Sequence, residues 1–198
     1  MTLPVKLATA CAALFLGFIV LVSAAAAAVT AAVTSPLTAV WHAITGDPSK
    51  TQTVFTAGQY MRIIGGAEQN APSRAAAIAV VFAARQIGLP YIWGGDGQSG
   101  YDCSGLAQAA YSAARVDIPR TATAQLQKGP EVSLSALRPG DLVFYGSTAF
   151  AHHVAIYVGT DAAGAGVVLD APHTGAVVRL DPLAAGDLFA ATRPGGPA

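Results

Sequence analysis

Tyr101-Asp102-Cys103-Ser104-Gly105-Leu106-Ala107-Gln108-Ala109-Ala110-Tyr111-Ser112-Ala113 marks the point at which the chain's helical half is about to give way to its strands. Leu106, Ala109, Ala110 and Ala113 recur at the i, i+3, i+4, i+7 spacing of one helix face. Asp102 is a good N-cap residue for that helix, which puts Cys103 in its first turn, at the positive end of the helix dipole. Upstream, Ser73 is placed to cap another helix, with Ile78, Val81 and Phe82 as its apolar stripe and Gly88 and Pro90 as its stop.

Downstream the period changes from helical to alternating. After Pro139-Gly140, short apolar runs at 141–145, 153–158, 167–170, 177–180 and 189–193 are separated by turn formers such as Gly146, Gly159, Gly164-Ala165-Gly166 and Thr174-Gly175. Helices followed by consecutive strands predict an α+β fold, with N-terminal helices packed on an antiparallel meander of about five strands. In the second run His153, Ala155 and Tyr157 share one face, and His152, Val154, Ile156 and Val158 share the other. Only one of the two histidines can therefore face the Cys103 helix, and alternation alone leaves open which.

The N-terminal part has a different character. No formally charged residue occurs from Leu7 to Trp41, and Leu14 to Val22 is densely apolar. Lys6, this block and the small residues Ser23 to Ala28 fit a secretory signal; uncut, the same stretch is long enough to span a bilayer. Residues 1–45 are thus expected to be a signal peptide or an N-terminal membrane anchor. In either case the following domain is expected outside the cytoplasm, either secreted or tethered to the membrane. Residues 46–72, with Gly46-Asp47-Pro48 and Gly65-Gly66, read as a linker, and 73–198 as the folded domain.

The chain has 198 residues, with 11 basic and 11 acidic side chains in balance, so nothing in its charge suggests a phosphate-tracking surface and nucleic acid is not an expected partner. Of its two cysteines, Cys11 lies in the leader, ahead of the apolar block where a lipidated cysteine would have to follow it. Cys103 lies in the body, and an unpaired thiol kept in an oxidising compartment points to use of the sulfur. A nucleophilic cysteine needs a stabilised thiolate, which a helix N-terminus and a nearby imidazolium both supply. A third polar group should then fix the imidazole's tautomer and orientation, and Asp170, ending the next strand, is well placed.

Six stretches, in order, resemble the NlpC family of papain-like cell-wall peptidases over about Ser73 to Arg193. They are Tyr91-Ile92-Trp93-Gly94-Gly95, Tyr101 to Leu106, Pro119-Arg120-Thr121, Pro139 to Phe144, His153 to Gly159 and Ala171-Pro172-His173-Thr174-Gly175. The resemblance implies a papain-like fold and a Cys-His-polar triad. Cys103 matches the nucleophile, His153 rather than His152 the base, Asp170 the third member and Tyr91 the oxyanion-side donor. Asp102 and Ser104 match positions that grip the free amine of a substrate, here a peptidoglycan stem peptide. The implied reaction is hydrolysis of the γ-D-glutamyl-diaminopimelate bond, with no metal or other cofactor. Thr160 to Gly166 is longer than the family's usual tight turn.

Plainer roles stand beside these. Asp102 as a cap alone, Asp170 as a solvated strand end and Trp93 as a core aromatic are each compatible with the sequence. Arg120 reads either as a surface charge or as a contact for a substrate carboxylate. Gly94-Gly95-Asp96-Gly97 lacks the preceding strand and following lysine of a phosphate loop. An amidase or acyltransferase acting on another amide or ester, or a non-catalytic cell-envelope binding domain, would use the same fold.

Overall fold

The structure is a computed structural model that describes residues 55–97 and 99–196. The leader expected over 1–45 lies outside the described residues, as does most of the expected linker's first half. Among the described residues no helix is long and apolar enough to cross a membrane.

The rest of the expected linker is not a linker. Residues Ala57–Asn70 form helix α1, opened by a reciprocal capping box between Thr56 and Gln59. Tyr60, Ile63, Ile64 and Ala67 follow helical spacing, and Ile63 and Ala67 are buried in the main core. These contacts hold the helix in place despite the glycine pair at Gly65-Gly66, which weakens helix propensity. Helix α2, Arg74–Ala84, is capped by Ser73 as expected and buries Ala76, Ala79, Val80, Ala83 and Ala84. A short hairpin, β1 (Asp96–Gly97) and β2 (Gly100–Tyr101), leads into helix α3, Cys103–Ala113. Helix α4 is a short segment, Ala122–Gln125.

Five strands follow: β3 (Leu142–Gly146), β4 (Ala151–Thr160), β5 (Gly166–Asp170), β6 (Arg179–Pro182) and β7 (Leu188–Thr192). All pairings are antiparallel, and the order across the sheet is β6-β5-β4-β3-β7. The meander holds for the first four strands. The fifth crosses back to pair with β3, so both flanks of β3 are hydrogen-bonded.

The two sheet faces bury different residues. Leu142, Phe144, Val154, Ile156, Val158, Val167 and Leu169 meet Val80, Ala83, Leu106, Ala107, Ala110 and Tyr111 of the helices. Val143, Tyr145, Ala155, Tyr157, Val168 and Ala191 form a smaller cluster covered by Val132, Leu137, Leu183 and Leu188. The Tyr111 hydroxyl, fully buried, donates to the carbonyl of Gly140 and so ties α3 to the turn that starts the sheet. At the same end of β3, Arg193 clamps the buried Asp141 through Nε at 2.7 Å and Nη2 at 2.9 Å. A buried pair of this kind matters mainly because loss of one partner strands the other charge.

Candidate active site

Helix α3 begins where its sequence says it should. Asp102 adopts extended backbone, and its Oδ1 accepts from the Gly105 N–H at 2.7 Å, leaving Cys103 as the first helical residue. Gly105 is required here by close approach: a Cβ at that position would stand 2.1 Å from the backbone oxygen of Gly95. The loop carrying Tyr91 to Gly95 is thereby laid directly against the first turn of α3, and the Asp102 N–H donates to the Gly95 carbonyl at 2.9 Å.

His153 comes from β4. The helices pack on the Val154, Ile156 and Val158 face, so strict alternation would turn His152, not His153, toward them. A β-bulge changes the geometry at that end: Gly146 pairs with Ala151 and Tyr145 with His153, leaving His152 as the extra residue. The bulge takes His152 out of the pairing, while His153 keeps its regular place opposite Tyr145, on the sheet face away from the helical core. Exposed His152 bonds Asp187 at 2.5 Å, whereas the largely buried His153 lies beside the Tyr145 ring with centroids 5.5 Å apart.

Nε2 of His153 lies 2.7 Å from Oδ2 of Asp170, whose side chain is 6% exposed. Asp170 is therefore not a solvated strand end. The longer turn after β4 does not displace it, because Asp161 organises that turn, its Oδ1 accepting from the N–H groups of Ala163 and Ala165. Burial pulls the His153 pKa down, but the hydrogen bond to Asp170, hydrogen bonding with Cys103 and the charges of both outweigh it, leaving the imidazole pushed up to about 10. The bond to Asp170 occupies Nε2, so Nδ1 is the nitrogen left for the sulfur.

Tyr91 completes this group. Its N–H donates to the Ala176 carbonyl at 2.9 Å, which fixes the backbone. Burial raises the hydroxyl's pKa, and the negative charges of Cys103 and Asp102 raise it further, so it remains a neutral donor near the sulfur. The structure thus brings Cys103, His153, Asp170 and Tyr91 together.

Asp102, Ser104 and Arg120 form a second group beside the first. Arg120 donates to both Asp102 oxygens, Nη1 to Oδ1 at 2.9 Å and Nη2 to Oδ2 at 2.8 Å. It also donates to Ser104 Oγ at 2.9 Å and the Gly95 carbonyl at 3.2 Å, and Asp102 Oδ2 accepts from the Gly94 N–H at 2.9 Å. Arg120 is thus neither a free surface charge nor a free fork; much of its donor capacity is spent on this cluster. Burial raises the Asp102 pKa, but the Arg120 hydrogen bond and charge, with the Gly105 and Gly94 N–H groups, together outweigh it, leaving the carboxyl below its ordinary value.

Two features were not anticipated. Gln125 is fully buried, and its Nε2 donates to the carbonyls of Ser104 and Pro119 at 2.8 Å, bracing the first turn of α3 from below. Its place in the Thr121-capped turn after Pro119-Arg120 was the available signal. Trp93, expected in the core, is instead 87% exposed, because the loop reversing over α3 carries its side chain outward.

Helices on a five-stranded antiparallel sheet, with a cysteine at a helix N-terminus facing a strand imidazole, define the papain-like fold class. The NlpC/P60 family profile matches residues 88–190, and the chain belongs to that family. A protein from Corynebacterium glutamicum named as a probable endopeptidase is 47% identical over 94 residues, 47% of this chain and 44% of that one. The gamma-D-glutamyl-L-lysine dipeptidyl-peptidase of Bacillus subtilis is 39% identical over 98 residues, covering 48% of this chain and 31% of that protein. Among solved structures, the peptidoglycan hydrolase RipB of Mycobacterium tuberculosis aligns with a TM-score of 0.54 and 28% identity, over 71% of this chain and 72% of that one. The chain spans less than half the length of these two curated relatives.

Proposed function

We propose that this protein is a peptidoglycan hydrolase, a cysteine endopeptidase cutting the γ-D-glutamyl-diaminopimelate bond of stem peptides outside the cytoplasm. The observation that carries the reading is the His153–Asp170 bond, buried beside a cysteine in the first turn of a helix. The relatives support it: their names describe endopeptidases and a γ-D-glutamyl peptidase, and a fold neighbour is described as a peptidoglycan hydrolase.

Cys103 attacks the amide carbonyl as thiolate, with the Tyr91 hydroxyl and the Cys103 N–H donating to the oxyanion. His153, held charged by Asp170, passes its proton to the leaving amine, and water then releases the acyl group from sulfur. Asp102, with Ser104 beside it, offers a carboxylate to the free amine of the substrate's first residue, while Arg120 holds that carboxylate in orientation. The apolar leader would deliver the domain across the membrane or anchor it there.

Digestion of purified peptidoglycan by wild type and Cys103→Ala, with mass spectrometry of the fragments, tests the reading. A freed diaminopimelate amine produced only by the wild type supports it. Stem peptides left intact under reducing conditions, or cut at another bond, would refute it.

A further inference from the structure

We propose that Asp181 is a positioning residue that holds the Arg179 guanidinium away from Asp170 and so reserves Asp170 for His153. The inference rests on Cys103 and His153 being the reacting pair.

Asp170 and Arg179 are direct cross-strand partners on β5 and β6, so their side chains share a face. Opposite charges in that relation ordinarily pair with each other. Here they do not. Arg179 Nε donates to both oxygens of Asp181, at 2.9 and 2.8 Å, two residues along the same strand and on the same face. Asp170 Oδ2 is given to His153 instead. The unspent atoms mark the diverted contact: Asp170 Oδ1 and Arg179 Nη1 are both buried without a hydrogen-bond partner.

The charges around this group come from several elements. His153 and Tyr145 face Asp170 from β4 and β3, and Arg179 and Asp181 flank it from β6. His173, in the loop after β5, acts on Asp181, Cys103 acts on His153 from α3, and the charges of Asp187 and His153 act on each other. Burial and the Asp170 charge raise the Asp181 pKa, and the Arg179 hydrogen bond and charge oppose them. Without the Asp181 charge, Arg179 would turn to its cross-strand partner, Asp170, and its positive charge would compete with the imidazolium.

The test is an NMR titration of the His153 imidazole in the reduced full chain in mild detergent, with the resonance assigned by its loss in His153→Gln. Asp181→Asn is expected to lower the midpoint by about one pH unit or more, the size of effect a newly placed neighbouring charge produces. Adding Arg179→Met to Asp181→Asn should restore the wild-type midpoint, which no merely structural role of Asp181 would predict. An unchanged midpoint in Asp181→Asn, or a double variant as low as the single one, overturns the proposal. If Asp181→Asn does not fold, Arg179→Met alone decides: the midpoint must stay or rise, and a fall overturns it. No substrate enters the measurement, so failure to cut wall peptides would sink the proposed function and leave this result standing.

Discussion

His153 and Asp170, separated by 17 residues, share one sheet face and meet at 2.7 Å, although the helix bearing Cys103 packs mainly on the other face. The carboxylate sets how long the imidazole stays charged. With a folded pKa near 10 against an ordinary 6.5, protonated His153 contributes stability that is full below about pH 6.5 and is lost as pH rises toward 10. Asp170→Asn should remove that alkaline-side dependence, seen as flatter thermal midpoints between neutral pH and pH 10. It should also slow turnover, by about tenfold or more if the proton transfer is catalytic.

Tyr91→Phe should lower kcat by roughly 10²- to 10³-fold, the usual consequence of removing one oxyanion donor. Its thermal midpoint should match wild type, because the ring that packs against the core is retained. A loss of stability with normal turnover would remove Tyr91 from the reaction.

Asp102 should matter in acid. Because its pKa is depressed, its contribution is present above the ordinary value of 3.8 and is lost as pH falls through the folded value. Acid unfolding of Asp102→Asn should therefore be less pH-dependent than that of wild type, while its KM for stem peptides rises. Circular dichroism and steady-state kinetics would read the two effects separately.

Gly105→Ala reverses the usual propensity rule. Alanine favours a helix, yet its Cβ would stand 2.1 Å from the Gly95 oxygen, and backbone must move to admit it. A destabilisation of about 1–3 kcal/mol in urea titration is expected, as for other overpacked sites.

Arg193→Met should cost about 3–5 kcal/mol, because Asp141 is left as a buried, uncompensated charge. Arg193→Met with Asp141→Asn should recover part of the loss. Equal destabilisation by the single and double variants would show that the packing of Arg193, rather than its charge, is what counts.

Much of this was legible in the residues because it depends on local pattern. Ser73 and Asp102 cap the helices they were expected to cap, and the runs at 141–145 and 167–170 fall within a residue of β3 and β5. Helix α1 was missed because Gly65-Gly66 and neighbouring polar residues outweighed two quieter signals, Thr56-x-x-Gln59 and the Tyr60, Ile63, Ile64, Ala67 stripe. The Arg120 ion pair joins residues 18 apart through tertiary geometry, which no periodicity encodes. Alternation puts His153 on the sheet face away from the helical core, and no spacing in the sequence says that Asp170 and Cys103 both reach it there.

Helix α1 also redraws where the independent folding unit starts. A fragment cut at Ser73 would lose Ile63 and Ala67 from the interior and bare the flanks of α2 and β4 that α1 covers. Such a fragment would carry the whole reactive constellation and still be a poor reagent, prone to sticking to itself, whereas one begun at Phe55 keeps its own cover.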